Sequence, residues 1–441
     1  MHNLYGIPEA STELGWAIGL PLLLMVLLFA MAVPVWVSLG ICAITLLVST
    51  EVLPLTLFGE ALFSGIDAFA LIAIPLFILT GDVLVRSGLS NKLLDVAEAT
   101  MGSLRTGLGT STVLGCGFFA CISGSDAAGA AAVGRITVKR LTDSGYPLPY
   151  ACALVASGAC TGILIPPSIA YIIIGLVLGI SASTLFLAAA VPGVMIMVSI
   201  MITNVVINRR RGYEHSRASF SFARWGRAVW DGKFALMIPF IILGGIYSGI
   251  FTPTEAAAVA VVTTIAIGLL QGTLTLADFP KMLESSAKVN GVIVPIIAFA
   301  LPLAQVLAAL EVPQTFVQGI TTLTDNPILV TLMMLGIFIA AGCVMETTPN
   351  IVILSPIMLP LAQEIGMNEI QFCIFMVTSL GVGFITPPLG LNLFVLSGLT
   401  KQSVLGIARR AVPYVLSMLV VVLLLAFIPE ISLWAIPEQL R

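Results

Sequence analysis

Two acidic residues stand in stretches of this chain that are otherwise apolar or small. Asp126 lies in ISGSDAAGAAAVG and Glu346 in GCVMETTPNIVILSPIMLP. An Asp at the centre of a membrane helix costs at least about 2.5 kcal/mol to insert. Ser123 and Ser125 flank the first carboxylate, and Thr347 and Thr348 follow the second. Such hard, oxygen-rich surroundings suit Na+ or a proton rather than Zn2+ or Cu2+, which prefer His or Cys. The other reading is that each carboxylate satisfies free N–H groups where a half-helix starts. Two further stretches add oxygen donors: GACTGILIPPS at 158–168 and GVGFITPPLGLN at 381–392. Here Thr161, Gly162, Pro166, Gly383, Thr386 and Pro387 supply hydroxyls and backbone carbonyls. A proline removes an N–H and frees a carbonyl one turn earlier, where a cation can bind, although the same residue can simply kink a helix. Ser168, Asn350 and Asn392 are polar groups available to a solute.

The elements that carry these residues recur. Pro166 and Pro387 are 221 residues apart, and apolar segments near 14–31, 35–50, 69–86, 151–176 and 184–207 have counterparts near 235–250, 255–271, 290–311, 371–398 and 411–432. The run near 110–133 is interrupted by Ser-Gly-Ser-Asp, and the run near 345–364 by Pro349 and Pro356; both read as hairpins that enter and leave on one side. The chain therefore divides into a first repeat over 1–207, a connector over 208–234 and a second repeat over 235–441. Unwound backbone at membrane depth survives only where protein or a cavity supplies its hydrogen bonds. The four breaks should thus converge on a polar site near the midplane, as in an alternating-access transporter.

Composition sets the class. Of 441 residues, 59% are hydrophobic and 9% charged, against about 25% charged in soluble proteins. Many windows exceed the roughly 20 apolar residues that cross a ~30 Å hydrocarbon core. The long continuous runs predict an all-α polytopic membrane protein, not a β-barrel with short alternating segments. If the N-terminus is outside and the hairpins are re-entrant, every Lys and Arg except Arg441 falls in the cytoplasm. Loops 51–68, 311–326 and 364–370 then lie outside with acidic residues only. Each half has an odd number of crossings, so the repeats are inverted.

The connector RRRGYEHSRASFSFARWGRAVWDGK reads in its second part as an amphipathic helix on the cytoplasmic face, with Phe220, Phe222, Trp225 and Trp230 in the lipid interface. It points to membrane lipid, not nucleic acid. The seven cysteines read as small buried residues without metal-ligand spacing. MHNLYGIPEASTEL lacks the basic stretch that opens a cleavable signal peptide. Asp82 and Arg86 are spaced as an i,i+4 ion pair, and Thr252–Glu255 as a capping box. His2 and His215 lie outside the apolar segments, and there is no phosphate-binding Gly-rich loop, which argues against an enzyme and against ATP hydrolysis. No cofactor is expected.

Four motifs in order, ISGSDAAGAAAVG, GILIPPS, GIFTPTEAAAVA and TPPLGLNLFV, resemble hallmarks of the large membrane subunit of TRAP (tripartite ATP-independent periplasmic) transporters. The resemblance implies an elevator-type secondary importer of a small organic acid in the bacterial inner membrane, usually driven by Na+. It implies two partners, a small four-helix membrane subunit and a soluble periplasmic binding protein. The chain's length leads us to expect the small subunit as a separate protein. Carried onto this sequence, one Na+ lies between Ser123–Asp126 and Thr161–Pro166, and another between Glu346–Thr348 and Gly383–Pro387. Substrate lies between the two tips. The chain departs from the commoner family pattern at 126, where Asp replaces a small or uncharged residue, and at 346, where Glu replaces Asp. The competing expectation is an organic anion permease or channel that needs no binding protein.

Overall fold

Proline and serine or threonine set many of the helix starts. Pro34 and Pro54 precede Val35–Thr50 and Leu55–Ile66 in extended backbone, since proline cannot donate within a helix but tolerates its first turn. Thr252 and Glu255 form the expected reciprocal capping box, with Pro253 opening Pro253–Leu270. The computed structural model describes residues 12–102, 104, 106–214 and 221–437. His2, Arg105, His215, Arg217, Phe220 and Arg441 lie outside the described residues. Among the described residues there is no strand. Six helices are long and apolar enough to cross a membrane, eight if each bent pair is one span.

The element order repeats. Gly107–Ser123 and Asp126–Asp143 form a first hairpin, followed by a helix broken between Leu148–Leu164 and Ile169–Leu178 with a 41° bend. Pro327–Val344 and Thr347–Glu364 form a second hairpin, followed by Glu369–Gly383 and Leu391–Thr400. Long helices, Ala182–Arg211 and Val404–Phe427, follow the two broken ones. Both hairpins are longer than the runs of small residues suggest. The stretch 345–364 is only the turn and second arm, because Pro327–Val344 is apolar throughout and carries no break to mark it as an arm.

Loops 51–68 and 311–326 differ from expectation, for they contain Leu55–Ile66 and Val312–Leu323. Each has 12 residues and is apolar mainly on one face, so a search for membrane-length runs passes over it. Leu89–Met101 is a third short helix of this kind, and Phe222–Asp231 of the connector packs against it. Phe222–Asp231 buries none of its residues, and Trp225 Nε1 donates to Thr100 Oγ1 at 3.3 Å.

The two broken helices form the centre of the molecule. Every residue of Tyr150–Ala159 and of Ile370–Gly383 is buried. In lipid the hydrophobic effect does not drive helices together, so close packing of small residues takes its place. The sequence ACALVASGACTG supplies those residues at the point where the broken helices meet. There Cys160 Sγ lies 3.3 Å from Gly381 O, and the two residues are 221 positions apart. The outermost helix, Thr12–Ala30, turns Trp16, Leu20 and Val26 outward. All seven cysteines are unpaired and six are fully buried.

Candidate functional site

Each hairpin tip is tied to the break of the helix that follows it. Gly124 ends the first arm with φ of +60°, a left-handed conformation that glycine adopts without strain. Its carbonyl accepts from Ile169 N at 3.3 Å, where the broken helix resumes. A Cβ on Gly162 would lie 2.6 Å from Ser125 O, so only glycine lets the break approach the tip this closely. Ser125 caps the second arm, accepting from Ala128 N at 3.4 Å. Asp126, the first residue of that arm, is 4% exposed, and its Oδ2 has no hydrogen-bond partner. Asn392, from the second broken helix, faces this carboxylate.

The second junction uses the same plan with other residues. Gly390 N donates to Cys343 O at 3.1 Å, joining the resumed helix to the hairpin turn. Gly342 and Gly383 pack against each other, and a Cβ on Gly383 would lie 2.7 Å from Gly342 Cα. Glu346 occupies the N-cap position of Thr347–Glu364 but makes no side-chain cap bond. Asn350 Nδ2 donates to Ala341 O at 3.2 Å and to Met345 O at 3.0 Å, holding the turn from below.

Both tips line one cavity of about 370 Å3. Ser123, Ser125 and Asp126 reach it from one hairpin, and Glu346, Thr347 and Thr348 from the other. Its walls include Asp82 from Ala73–Arg86, Ser285 from Phe279–Ala309, and Arg135. Asp82 also pairs with Arg86 at 2.7 Å, the spacing-based expectation for it. Arg135 and Ser285 were not legible as site residues. Arg135 counts in the sequence only as one more basic residue, and its position nine residues after Asp126 gives no sign that both face one cavity.

The remaining sequence-derived residues do not line the cavity. Thr161, Gly162, Pro166, Gly383, Thr386 and Pro387 lie behind the tips, within the breaks. Ser168 Oγ donates to Ile163 O at 2.7 Å, Asn392 N to Phe384 O at 3.2 Å, and Thr386 N to Gly383 O at 2.9 Å. These bonds take up carbonyls that the Pro-Pro pairs would otherwise leave free. Pro166 still removes the N–H that would pair with Gly162 O. Ser168, Asn350 and Asn392 are fully buried, and each ties together interrupted backbone.

Buried oxygen atoms without donors identify what the region can hold. Asp126 Oδ2, Asn350 Oδ1 and Asn392 Oδ1 are three such atoms. A buried polar atom left unpaired costs about 1–3 kcal/mol, and a hard cation removes that cost. Among the described residues no three His, Cys, Asp or Glu cluster as for a transition metal. Oxygen atoms of this kind are the ligands that hard cations take.

The family model of the tripartite ATP-independent periplasmic transporter, DctM component, matches residues 22–431. The chain belongs to this family. It is a transport permease component, not an enzyme. The C4-dicarboxylate TRAP transporter large permease protein DctM of Pseudomonas aeruginosa is 37% identical over 380 residues, covering 86% of this chain and 88% of that protein. The isethionate TRAP transporter permease protein DctMQ of Oleidesulfovibrio alaskensis is 34% identical over 92% of this chain, which spans 64% of that longer protein. The Alcanivorax borkumensis YdaH transporter has a similar fold, with a TM-score of 0.61 at 12% identity, covering 84% of this chain and 88% of that one.

Proposed function

We propose that this permease imports a small organic acid anion across the bacterial inner membrane, coupled to inward movement of Na+. The observation that carries the reading is the shared cavity: both tips line it, and each brings a carboxylate together with hydroxyls. The named substrates of the two relatives, a C4-dicarboxylate and isethionate, are both acids. One ion is held by Ser123, Ser125 and Asp126 with Thr161, Gly162 and Pro166 behind them. The second is held by Glu346, Thr347 and Thr348 with Gly383, Thr386 and Pro387. With both carboxylates neutralised by ions, Arg135 supplies the counter-charge for the anion. A small membrane subunit and a soluble periplasmic binding protein complete the system and deliver the solute.

The two halves act as inverted repeats, and the hairpins with their broken helices move as one elevator. Their mutual hydrogen bonds and glycine contacts support that reading, because they join tip to break within each half. The basic side faces the cytoplasm and the N-terminus the periplasm, as the positive-inside bias requires. Each Na+ entering down ~100 mV contributes roughly 2.3 kcal/mol, so two ions offset the charge of a dianion, outweigh that of a monoanion, and add the energy of their own concentration gradient.

Uptake by proteoliposomes containing all three components tests the reading. Replacing Na+ by choline should abolish uptake; unchanged uptake that follows an imposed pH gradient would sink the Na+ assignment. Arg135→Gln should raise the half-saturating substrate concentration about tenfold, the equivalent of 1.4 kcal/mol, without shifting the Na+ requirement. A parallel shift in both would mean that Arg135 supports the fold instead of the solute.

A further inference from the structure

Four arginines line one pocket at the ends of two packed helices. Arg210 and Arg211 end Ala182–Arg211, and Arg409 and Arg410 stand in the second turn of Val404–Phe427. Together with Tyr150 and Tyr213 they line a pocket of about 230 Å3 into which no carboxylate projects. Among the described residues none of the four forms an ion pair, whereas Arg86, Arg140 and Lys288 each do. Glu214, close by in sequence, is engaged elsewhere: its carboxylate accepts from Tyr146 Oη at 2.8 Å and Leu108 N at 3.2 Å.

Like charges lining one pocket repel, and among the described residues no acidic side chain lines it to offset them. Cations at the carboxyl end of Ala182–Arg211 suit its dipole, but Arg409 and Arg410 lie near the end of their helix that favours anions. The aromatic floor is fixed in place. Tyr150 Oη donates to Asn204 Oδ1 at 3.1 Å and accepts from Tyr414 Oη at 2.6 Å. The Tyr213 ring lies 5.1 Å from that of Tyr150, and Tyr213 N donates to Asn208 Oδ1 at 2.9 Å. A positioned set of planar forks without partners matches the oxygens of a phosphate group, which they bind bidentately.

Two sources of phosphate share that chemistry, a free phosphate and a lipid headgroup. The same two helices favour the second. One or two turns further into the apolar zone they expose Ile202 (58%), Val206 (44%), Val412 (50%) and Leu416 (58%). An oxyanion held at the arginines would have acyl chains running beside these side chains, and basic pockets between membrane helices are known to hold acidic headgroups. We propose that the four-arginine pocket binds the phosphate of an anionic phospholipid, fixing these two helix ends at the membrane surface.

The test uses the chain purified with its small membrane subunit, stripped of lipid and followed by native mass spectrometry and thermal unfolding. It is titrated with cardiolipin, with phosphatidylcholine of the same acyl chains, or with inorganic phosphate. Cardiolipin should be retained about tenfold or more over phosphatidylcholine and should raise Tm. The double variant R409Q/R410Q should lose that preference. R409K/R410K, which keeps charge but not the planar forks, should retain about a third of it. Lys139→Gln, at an exposed and unpaired basic residue elsewhere, should change nothing. Equal retention by wild type and R409Q/R410Q would overturn the proposal. So would displacement of cardiolipin by millimolar inorganic phosphate, which marks a free-phosphate site, or retention of cardiolipin only after the small subunit has been removed, which marks a protein interface.

Discussion

The two tip-to-break junctions share a plan but differ in how they keep their carboxylates. Asp126 is buried, its oxygen unpartnered, and the neighbouring Ser125 makes the helix cap. Glu346 is exposed to the cavity and stands at the cap position without capping. The first turn closes through left-handed Gly124, the second through extended Met345 with Asn350 holding its carbonyls. Both acids reach one cavity, but the first is buried there and the second exposed. The two junctions thus share a backbone plan while their acids differ, so the two ion sites proposed above should not be equivalent. A buried carboxylate must be neutralised by a cation or a proton, whereas an exposed one is stabilised by water.

The largest effects should come from the glycines that both junctions need. Gly162→Val and Gly383→Val each force a side chain into backbone 2.6 or 2.7 Å away. Overpacking of this sort costs typically about 1–3 kcal/mol, and here it falls on the tips themselves. Uptake should be lost in both variants while they still insert, as membrane fractionation and Tm in detergent will show. Loss at one site only would mean that the junctions are not functionally alike.

An intermediate effect should separate the acids. Asp126→Asn should raise the half-saturating Na+ concentration about tenfold, while Glu346→Gln should raise it about threefold; on the free-energy scale the first is about 1.4 kcal/mol. Sodium titration of uptake decides this, and the reverse order would contradict the distinction between a buried and an exposed acid. The smallest effect concerns caps alone. Ser125→Ala should cost about 1 kcal/mol of stability, read as a lower Tm, while Glu346→Ala should cost less because no cap bond is broken. Equal losses would show that Glu346 caps its helix after all.

Much of the fold was legible because its determinants are local. The Pro-Pro pairs at 166 and 387 mark the breaks, and Ser-Gly-Ser-Asp marks the first turn. The second hairpin was only half visible, since Pro327–Val344 looks like any spanning helix. The short helices Leu55–Ile66 and Val312–Leu323 escaped notice because one-sided apolarity does not raise mean hydropathy over a long window. At the site, Ser123, Asp126, Glu346 and Thr347 were recognisable as costly or polar residues at interruptions in apolar runs. Asn350 and Asn392 were equally visible, but their amides are occupied with backbone carbonyls that no pattern could have assigned to them.

What the amino-acid order determined alone was the solvent this chain needs, the places where its helices stop, and the recurrence of those stops 221 residues later. Apolarity, missing N–H groups and glycine backbone freedom act within a turn or two, so they can be read along a line. What tertiary structure decided was company: that Asp126 and Glu346 line one cavity, that Arg135 and Asp82 share it, and that four arginines gather with no acid among them. Those pairings join residues far apart in the chain, and helix packing brings them together, at the centre through small side chains where the two broken helices meet.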